Sequence, residues 1–208
     1  MIIHGGTPSP FSRKVAVACQ EKGISYETRE LVPFPKTAEL LAMNPIGKIP
    51  ILEVADGQFL PDSSVICAYL ERIHPEPSLL PGDALSVGKA LFIEEYCDTK
   101  LNDAISPIFF QRFVRPNVFQ QEPDATVVDA ALPVLGEVLD QVEGLIPEAA
   151  GPLLEAGFGI GDVAFGAQLG SLMLARQELD AARWPKISAY ARWVLSRASF
   201  EKVHAALA

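Results

Sequence analysis

The residues with the clearest binding chemistry lie at the start of a predicted helix, where Asp62 and Ser63 precede an apolar run. The first backbone N–H groups of a helix have no partner within it, so this end attracts negative charge. Acidic and hydroxyl side chains commonly cap such an end, and its free N–H groups can also hold a carboxylate. The sequence therefore indicates either a simple helix cap or an anion-binding site at Asp62 and Ser63.

A strand and a hairpin are predicted just before this helix. Asn44-Pro45 ends the preceding helix, and the apolar, partly β-branched residues 49–54 predict a buried strand. Pro50 cannot donate to a sheet, so it belongs at the first residue of a strand or in a turn. A cis bond is plausible there, although trans proline is the commoner geometry. Asp56-Gly57 predicts a hairpin, and the whole segment forms a binding edge.

The helix after Asp62 completes a compact α/β unit. Apolar residues at spacings of three and four predict one buried face, made of Val65, Ile66, Tyr69, Leu70 and Ile73. The earlier part of the chain predicts strands at residues 1–4 and 25–31 and helices at residues 10–22 and 37–43. The resulting order, β-α-β-α-β-β-α, is that of one α/β unit.

Composition and charge narrow the function classes. The 208 residues are 49% hydrophobic and 21% charged, which is typical of a globular protein. The net charge of −9 argues against nucleic acid or an anionic membrane surface as a partner. No apolar run is long enough to span a bilayer, and no signal peptide is recognisable. The expectation is a cytosolic protein.

Neither cysteines nor histidines form a chemical motif. The cysteines are widely spaced within apolar helical patterns, which predicts reduced core thiols: Cys19, Cys67 and Cys97. The histidines are also scattered, which predicts no metal site: His4, His74 and His204.

The composition changes after residue 73, where proline and turn-forming residues become frequent. We predict a domain at residues 1–74, a linker at 75–84 and an all-helical domain at 85–208. Its helices are predicted at residues 84–114, 124–145, 161–177, 185–196 and 199–207. Three prolines should kink or divide them: Pro107, Pro116 and Pro133.

An α/β unit followed by an all-helical domain resembles the cytosolic glutathione transferases, and the resemblance covers the whole chain. The segment SPFSRKV from Ser9 resembles the family's first loop and helix in the serine-type form, as in tau-, zeta-, theta-like or bacterial members. NPIGKIPIL resembles its cis-proline loop, and DSSVICAYL its E-S-x-A-I-x-x-Y-L signature, with Asp62 in place of glutamate. Residues 157–164 resemble the capping-box segment of the buried helix, with Asp162 as the acid. Gly159 stands where serine or threonine is usual, so the cap should be incomplete. The implied fold is a thioredoxin-like α/β domain plus an all-α domain.

The resemblance implies that Ser9 activates the glutathione thiol. A thiol with a pKa of about 8.5 is mostly protonated at neutral pH, whereas only the thiolate is a good nucleophile. Ser9 precedes Pro10 as a helix N-cap, so a thiolate there would meet a hydroxyl donor and a positive helix end. The hydroxyl could instead only cap the helix. Thr7 and Ser12 are the alternative hydroxyls.

The other ligand contacts are also implied by the resemblance. Asp62 and Ser63 would receive the γ-glutamyl end, and the backbone of Ile49 before a cis Pro50 would pair with the cysteinyl amide. Lys36 and Lys48 align with basic residues that approach the glycyl carboxylate, although each could be a solvated surface lysine.

The family places its electrophile pocket in the first long helix of the second domain. Phe109, Arg112 and Phe113 are the candidates there, together with Phe11 from the first domain. Aromatic residues at spacings of three and four also build cores, so this cluster has a structural alternative.

The function implied is addition of the glutathione thiolate to a small hydrophobic electrophile, a detoxifying reaction, without a metal and with glutathione as co-substrate. Glutathione-dependent isomerase, dehalogenase or peroxidase activity would use the same site, and a non-catalytic binding or regulatory protein would use the fold alone. A serine at position 9 argues against thiol exchange, since it cannot form a mixed disulfide. The family also implies a two-fold homodimer.

Overall fold

The computed structural model describes residues 1–205, which form two compact units. The first contains Met1–Leu80 and the C-terminal segment that begins at Ala198, and the second contains Pro81–Arg197. The predicted assignment of residues 85–208 to one helical domain therefore differs from the structure at the last helix. The predicted end of that helix, Leu207, lies outside the described residues.

A four-stranded mixed sheet in the order β2-β1-β3-β4 forms the centre of the first unit. β1 runs parallel to β2 and antiparallel to β3, with Ile3 opposite Leu52, and β3 and β4 form an antiparallel hairpin. The hairpin turn contains Gly57 at a φ of 71°, which a glycine adopts without strain. The strands are β1 (Ile2–His4), β2 (Glu27–Arg29), β3 (Ile51–Ala55) and β4 (Gln58–Pro61).

Three helices accompany the sheet, α1 (Pro10–Glu21), α2 (Ala38–Met43) and α3 (Ser63–Ile73), and α1 packs against α3. The predicted β-α-β-α-β-β-α order is confirmed.

The predicted buried face of α3 is partly wrong. The face consists of Ser63, Ile66, Cys67 and Leu70, whereas Val65 is 50% exposed. Small Ser63 and Cys67 complete the inner face, which a pattern based only on large apolar residues overlooks.

Lys22 ties the ends of α1 and α3 together. Its side chain is buried, and its Nζ donates to the carbonyl oxygens of His74 at 2.6 Å and Pro77 at 2.8 Å. The same ammonium pairs with the Glu71 carboxylate at 2.7 Å. Burial raises the pKa of Glu71, but hydrogen bonds from Lys22 and two neighbouring groups outweigh it, so that the pKa is lowered. This cluster anchors the chain where it leaves α3.

The second unit is helical throughout, as predicted. The predicted long first helix contains two π-helical turns, Cys97–Leu101 and Phe110–Val114, and it retains Pro107 inside. The two π turns flank Pro107, and the chain stays helical through the proline instead of ending there. The helices are α4 (Ala84–Tyr96), α5 (Asn102–Phe109), α6 (Arg115–Val118), α7 (Ala125–Glu143), α8 (Ile160–Leu174) and α9 (Pro185–Leu195).

Helix α8 is the buried centre of the second unit, and Asp162 fixes its start. The carboxylate accepts hydrogen bonds from the Gly159 N–H at 3.0 Å, the Leu153 N–H at 2.9 Å and the Tyr190 hydroxyl at 2.8 Å. Burial raises the pKa of Asp162 in spite of these donors. Because Gly159 has no side chain, only half of the reciprocal cap forms, as the sequence predicts.

The last helix, α10 (Ala198–Ala205), packs against α1 in the first unit. The Ser199 hydroxyl donates to the Glu21 carboxylate at the end of α1. Within residues 1–205, no helix is long and apolar enough to cross a membrane.

The three cysteines are buried and free of disulfides, which confirms the prediction of core thiols. Burial raises the pKa of the Cys19 thiol to about 12. A protonated, buried thiol is a poor nucleophile, so Cys19 has a packing role.

Candidate functional site

Ser9 lies in the loop between β1 and α1, directly at the N-cap of α1. Its backbone is extended, Pro10 occupies the first helical position, and its side chain is partly exposed. The Ser9 Oγ accepts from the Ser12 N–H at 3.5 Å, the outer limit for a hydrogen bond. This weak cap leaves the hydroxyl available to donate to a ligand at the positive end of a twelve-residue helix.

The neighbouring hydroxyls differ from Ser9 in exposure. Ser12 is 1% exposed, and its Oγ has no hydrogen-bond partner among residues 1–205. A Cβ added to Gly5 would meet this oxygen at 2.7 Å and the Ile49 side chain at 3.2 Å, so Ser12 lies beneath the loop. Thr7 is partly exposed, like Ser9, and remains an alternative. The structure therefore separates Ser12 from the two hydroxyls that solvent can reach.

Arg13 supports the same loop from inside. The side chain is completely buried, and it donates to the Pro8 carbonyl oxygen at 2.8 Å. Burial lowers the pKa of Arg13 to about 9. Arg13 therefore anchors the residues before Ser9.

The segment before β3 is held by Asn44, which sequence analysis used only as a helix breaker. Its side-chain amide donates to the Lys48 carbonyl oxygen at 2.8 Å, and its Oδ1 accepts from the Ile46 N–H at 3.0 Å. Asn44 is buried, whereas the Lys48 side chain is exposed. The Ile49–Pro50 peptide bond that follows is cis. The buried amide thus fixes a loop whose lysine faces solvent.

Lys36 reaches the same loop from the segment before α2. Its Nζ donates to the Ile46 carbonyl oxygen at 2.9 Å. Its aliphatic chain crosses Gly47, where an added Cβ would lie 2.7 Å from the Lys36 Cδ. Gly47 also has a φ of 69°, so both the backbone and the close approach favour glycine. Two lysines are therefore attached to one short loop, and both are exposed.

The start of α3 combines an unusual backbone with a carboxylate. Asp62 has a φ of 78°, a region that non-glycine residues seldom adopt. Its Oδ1 accepts from the N–H groups of Ser64 at 2.9 Å and Val65 at 3.2 Å. Ser63 is 3% exposed and occupies the first helical position, where the N–H has no partner within the helix. Strain of this kind is often associated with ligand sites.

Lys14 links the two helix starts. It is almost completely buried in α1, and its Nζ donates to the Ser64 Oγ at 3.0 Å. Sequence analysis missed this residue, because a lysine beside a helix face is usually solvated. Its burial could have been inferred from its position between the apolar residues Phe11 and Val15 of a buried helix.

The electrophile-pocket candidates lie in both units. In the second unit, the rings of Phe109 and Phe113 stack with centroids 5.3 Å apart, and Phe109 is buried. Arg112 donates to the Gln177 Oε1 at 2.8 Å. Phe11 is partly exposed in the first turn of α1, in the first unit. The structure therefore brings Phe109 and Phe113 together, with Phe109 as part of the core.

Within residues 1–205, no cluster of three or more His, Cys, Asp or Glu side chains could hold a metal ion. The Ser9 loop, the loop that carries Lys48 and the start of α3 present hydroxyls, lysines, N–H groups and the Asp62 carboxylate. Such a set can bind an extended zwitterion that carries two carboxylates and an ammonium.

Comparison with known proteins agrees with this fold. Residues 4–78 match the N-terminal domain of glutathione S-transferases. The chain is 31% identical to the uncharacterized GST-like protein YibF of Escherichia coli, over 60% of each chain. It is 30% identical to the probable glutathione S-transferase GSTU6 of Oryza sativa, over 88% of this chain and 78% of the relative. A glutathione S-transferase structure from Methylobacterium radiotolerans, in complex with glutathione sulfonate, matches with a TM-score of 0.79 and 30% identity, over 97% and 93% of the two chains.

The sheet, the helix starts and the helical second unit define a thioredoxin-like protein with an all-α extension. The identity to GSTU6 extends over both units. The chain belongs to the cytosolic glutathione transferase family.

Proposed function

We propose that the protein binds glutathione on its first unit and activates the thiol for attack on a small hydrophobic electrophile. The observation that carries the proposal is the weakly engaged, accessible Ser9 hydroxyl at the positive end of α1. A hydroxyl donor and a helix N-terminus both stabilise a thiolate relative to a thiol. Family membership supports glutathione as the ligand, and the Methylobacterium relative carries glutathione sulfonate.

The remaining groups suit the rest of the tripeptide. The Asp62 carboxylate would receive the γ-glutamyl ammonium, and the Ser63 N–H its carboxylate. The backbone of Ile49 before Pro50 would pair with the cysteinyl amide. Lys36 and Lys48 would approach the glycyl carboxylate from one loop, as point charges.

The second substrate would be apolar. Phe11 is two residues beyond Ser9 and keeps an exposed part, so it offers an aromatic surface next to the thiol loop. Phe113 and Arg112 in the second unit remain candidates for electrophile selection, and Phe109 acts by packing under Phe113. We propose conjugation as the reaction, a detoxifying chemistry suited to the cytoplasm, where buried cysteines stay reduced.

We also propose that the protein is a homodimer. The second unit exposes large apolar side chains on α4 and just after α7, namely Leu85, Leu91, Phe92 and Leu145. Exposed apolar surface of this kind marks protein interfaces. Light scattering should give twice the monomer mass, and Phe92→Asp should reduce it to the monomer mass.

Binding and activation are tested separately. Retention on immobilised glutathione tests binding, and lack of binding at millimolar glutathione overturns the proposal. Turnover with a panel of aryl halides, enals and isothiocyanates tests activation. Ser9→Ala should lose roughly 10²-fold in kcat/KM while it keeps glutathione affinity, and the exposed Ser25→Ala should behave like the parent. Equal turnover of Ser9→Ala and the parent removes Ser9 from its role, and Thr7→Val then tests the alternative hydroxyl.

A further inference from the structure

A crevice in the second unit lies between α8, α9 and the loop at residues 177–181. Its volume is about 240 Å³. A cavity of about 150 Å³ accommodates benzene, so this one has room for a two-ring aromatic group. The walls are mainly apolar: Leu169, Leu172, Leu179, Ala181, Ala191 and Leu195.

One wall residue is a buried hydroxyl without a partner. Ser188 is 6% exposed, and its Oγ forms no hydrogen bond among residues 1–205. Its backbone N–H does bond to the Trp184 carbonyl oxygen, so the helix itself is intact here. A buried polar group without a partner is destabilising and calls for an explanation. A ligand in the crevice would supply the missing acceptor.

A cation lies one helical turn from this hydroxyl. Ser188 and Arg192 are four residues apart on α9, on the same face as Ala191 and Leu195. The Arg192 side chain is exposed, and no hydrogen bond or ion pair engages it within the described residues. The guanidinium can therefore reach the mouth of the crevice.

The third polar wall residue is already engaged. The Gln177 Oε1 accepts from Arg112 at 2.8 Å, and its Nε2 donates to the Glu178 carbonyl oxygen at 2.9 Å. The available groups are thus two donors, one of them positively charged, and none of the described residues that line the crevice is acidic. Donors beside an apolar cavity select an anion with an apolar body. A guanidinium matches the two oxygens of a carboxylate.

We propose that this crevice binds a small aromatic carboxylate, with its rings against α8 and its carboxylate between Ser188 and Arg192. This site is formed by the second unit alone and does not depend on glutathione binding. The ligand completes the hydrogen bonding of Ser188 and pairs with Arg192. Its affinity therefore reports on both donors.

Titration with 1-naphthoate, followed calorimetrically and by ¹H–¹⁵N NMR, tests the proposal. Saturable binding is expected, with shifts at the amides of Leu172, Ala191 and Leu195. Arg192→Gln should weaken binding about tenfold, as loss of a charged hydrogen bond predicts, and Ser188→Ala severalfold. The neutral 1-naphthalenemethanol should bind more weakly than naphthoate and should not respond to Arg192→Gln.

Three further variants test where naphthoate binds. Ala181→Phe fills the crevice from an exposed loop position and should abolish binding without unfolding the protein. Lys100→Gln removes an exposed charge elsewhere in the same unit and should leave the naphthoate affinity unchanged. Ser9→Ala should also bind naphthoate normally, so failure of the glutathione proposal and failure of this one are distinguishable. Absence of saturation at millimolar naphthoate, or equal affinity in Ala181→Phe and the parent, overturns the proposal.

Discussion

The buried ammonium of Lys14 donates a hydrogen bond to the Ser64 hydroxyl at 3.0 Å. Lys14 belongs to α1, which begins just after Ser9, and Ser64 lies in the first turn of α3, which begins just after Asp62. The bond joins the helix starts that carry the proposed thiol and γ-glutamyl contacts. Their spacing is therefore set by a side chain that need not touch the ligand.

Lys14→Met should weaken glutathione binding. The methionine keeps most of the buried volume but removes the donor to Ser64, and a hydrogen bond from a charged group contributes about 1.5–3 kcal/mol. Because only part of that loss should reach the ligand site, we expect the Kd for glutathione to rise roughly fivefold, which corresponds to about 1 kcal/mol. Calorimetric titration measures this Kd, and Lys100→Met, at an exposed lysine, is the matched control. An unchanged Kd in Lys14→Met would show that this bond does not position the site.

Asp62→Asn should raise KM for glutathione more than it lowers kcat. Asparagine can still accept from the Ser64 and Val65 N–H groups and tolerates positive φ, so α3 should keep its start. The variant loses the charge proposed to face the γ-glutamyl ammonium, which should raise KM roughly tenfold.

Asp124→Asn is the control for Asp62→Asn, because Asp124 also caps a helix, α7, by accepting from the Thr126 N–H, but at an ordinary φ of −88°. Steady-state kinetics should separate the two variants. Similar KM values for both would assign Asp62 a capping role only.

Asn44→Asp should loosen the loop that carries Lys48. The aspartate can accept from Ile46 N–H, but its carboxylate would face the Lys48 carbonyl oxygen without a donor. An unsatisfied buried acceptor of this kind costs about 1–3 kcal/mol, so the free energy of unfolding should fall by that amount. KM for glutathione should rise as well.

Asn117→Asp is the matched control, since Asn117 also donates to a carbonyl oxygen but is exposed. Urea unfolding of the two variants should show a loss only in Asn44→Asp. Equal stability of both would mean that the Asn44 amide does not hold the loop.

Stability should depend on pH through His204 in α10. Burial and the nearby Arg13 guanidinium lower the pKa of His204 to about 4. Between pH 6.5 and 4 the unfolded chain, with a histidine pKa near 6.5, binds more protons than the folded protein. The contribution of neutral His204 to folding stability is therefore fully present above pH 6.5 and is lost as the pH falls towards 4. His204 is partly exposed, so solvent screening should limit the loss to about 1 kcal/mol.

Replacement of His204 isolates its contribution to the pH dependence of stability. His204→Gln should flatten the dependence of the unfolding free energy between pH 6.5 and 4. His74→Gln, which changes an exposed histidine at the end of α3, should not. An identical pH dependence in His204→Gln and the parent would contradict the assignment.

Local patterns predicted most of the first unit. The Asp56-Gly57 turn and the Ser9-Pro10 and Asp62-Ser63 helix starts each depend on residues adjacent in sequence, and the structure has a hairpin and two helices there. The buried face of α3 was less predictable, because α3 packs against α1 with Cys67 buried and Val65 exposed.

Long-range contacts were the part that sequence patterns could not supply. Lys14 meets Ser64 fifty residues away, and α10 returns to pack against α1 from the other end of the chain. Nothing near Lys14 or α10 in sequence encodes those partners. The same holds for Ser188, whose missing partner is a property of the folded crevice.

The pKa of the glutathione thiol in the bound state tests the central claim most directly. Ultraviolet absorbance of the thiolate, titrated with pH at saturating glutathione, gives this value for the parent and for Ser9→Ala. We predict a thiol pKa of about 6–7 in the parent, below the free value of about 8.5, and a return towards that value in Ser9→Ala. Equal thiol pKa values in the two proteins would contradict activation by Ser9.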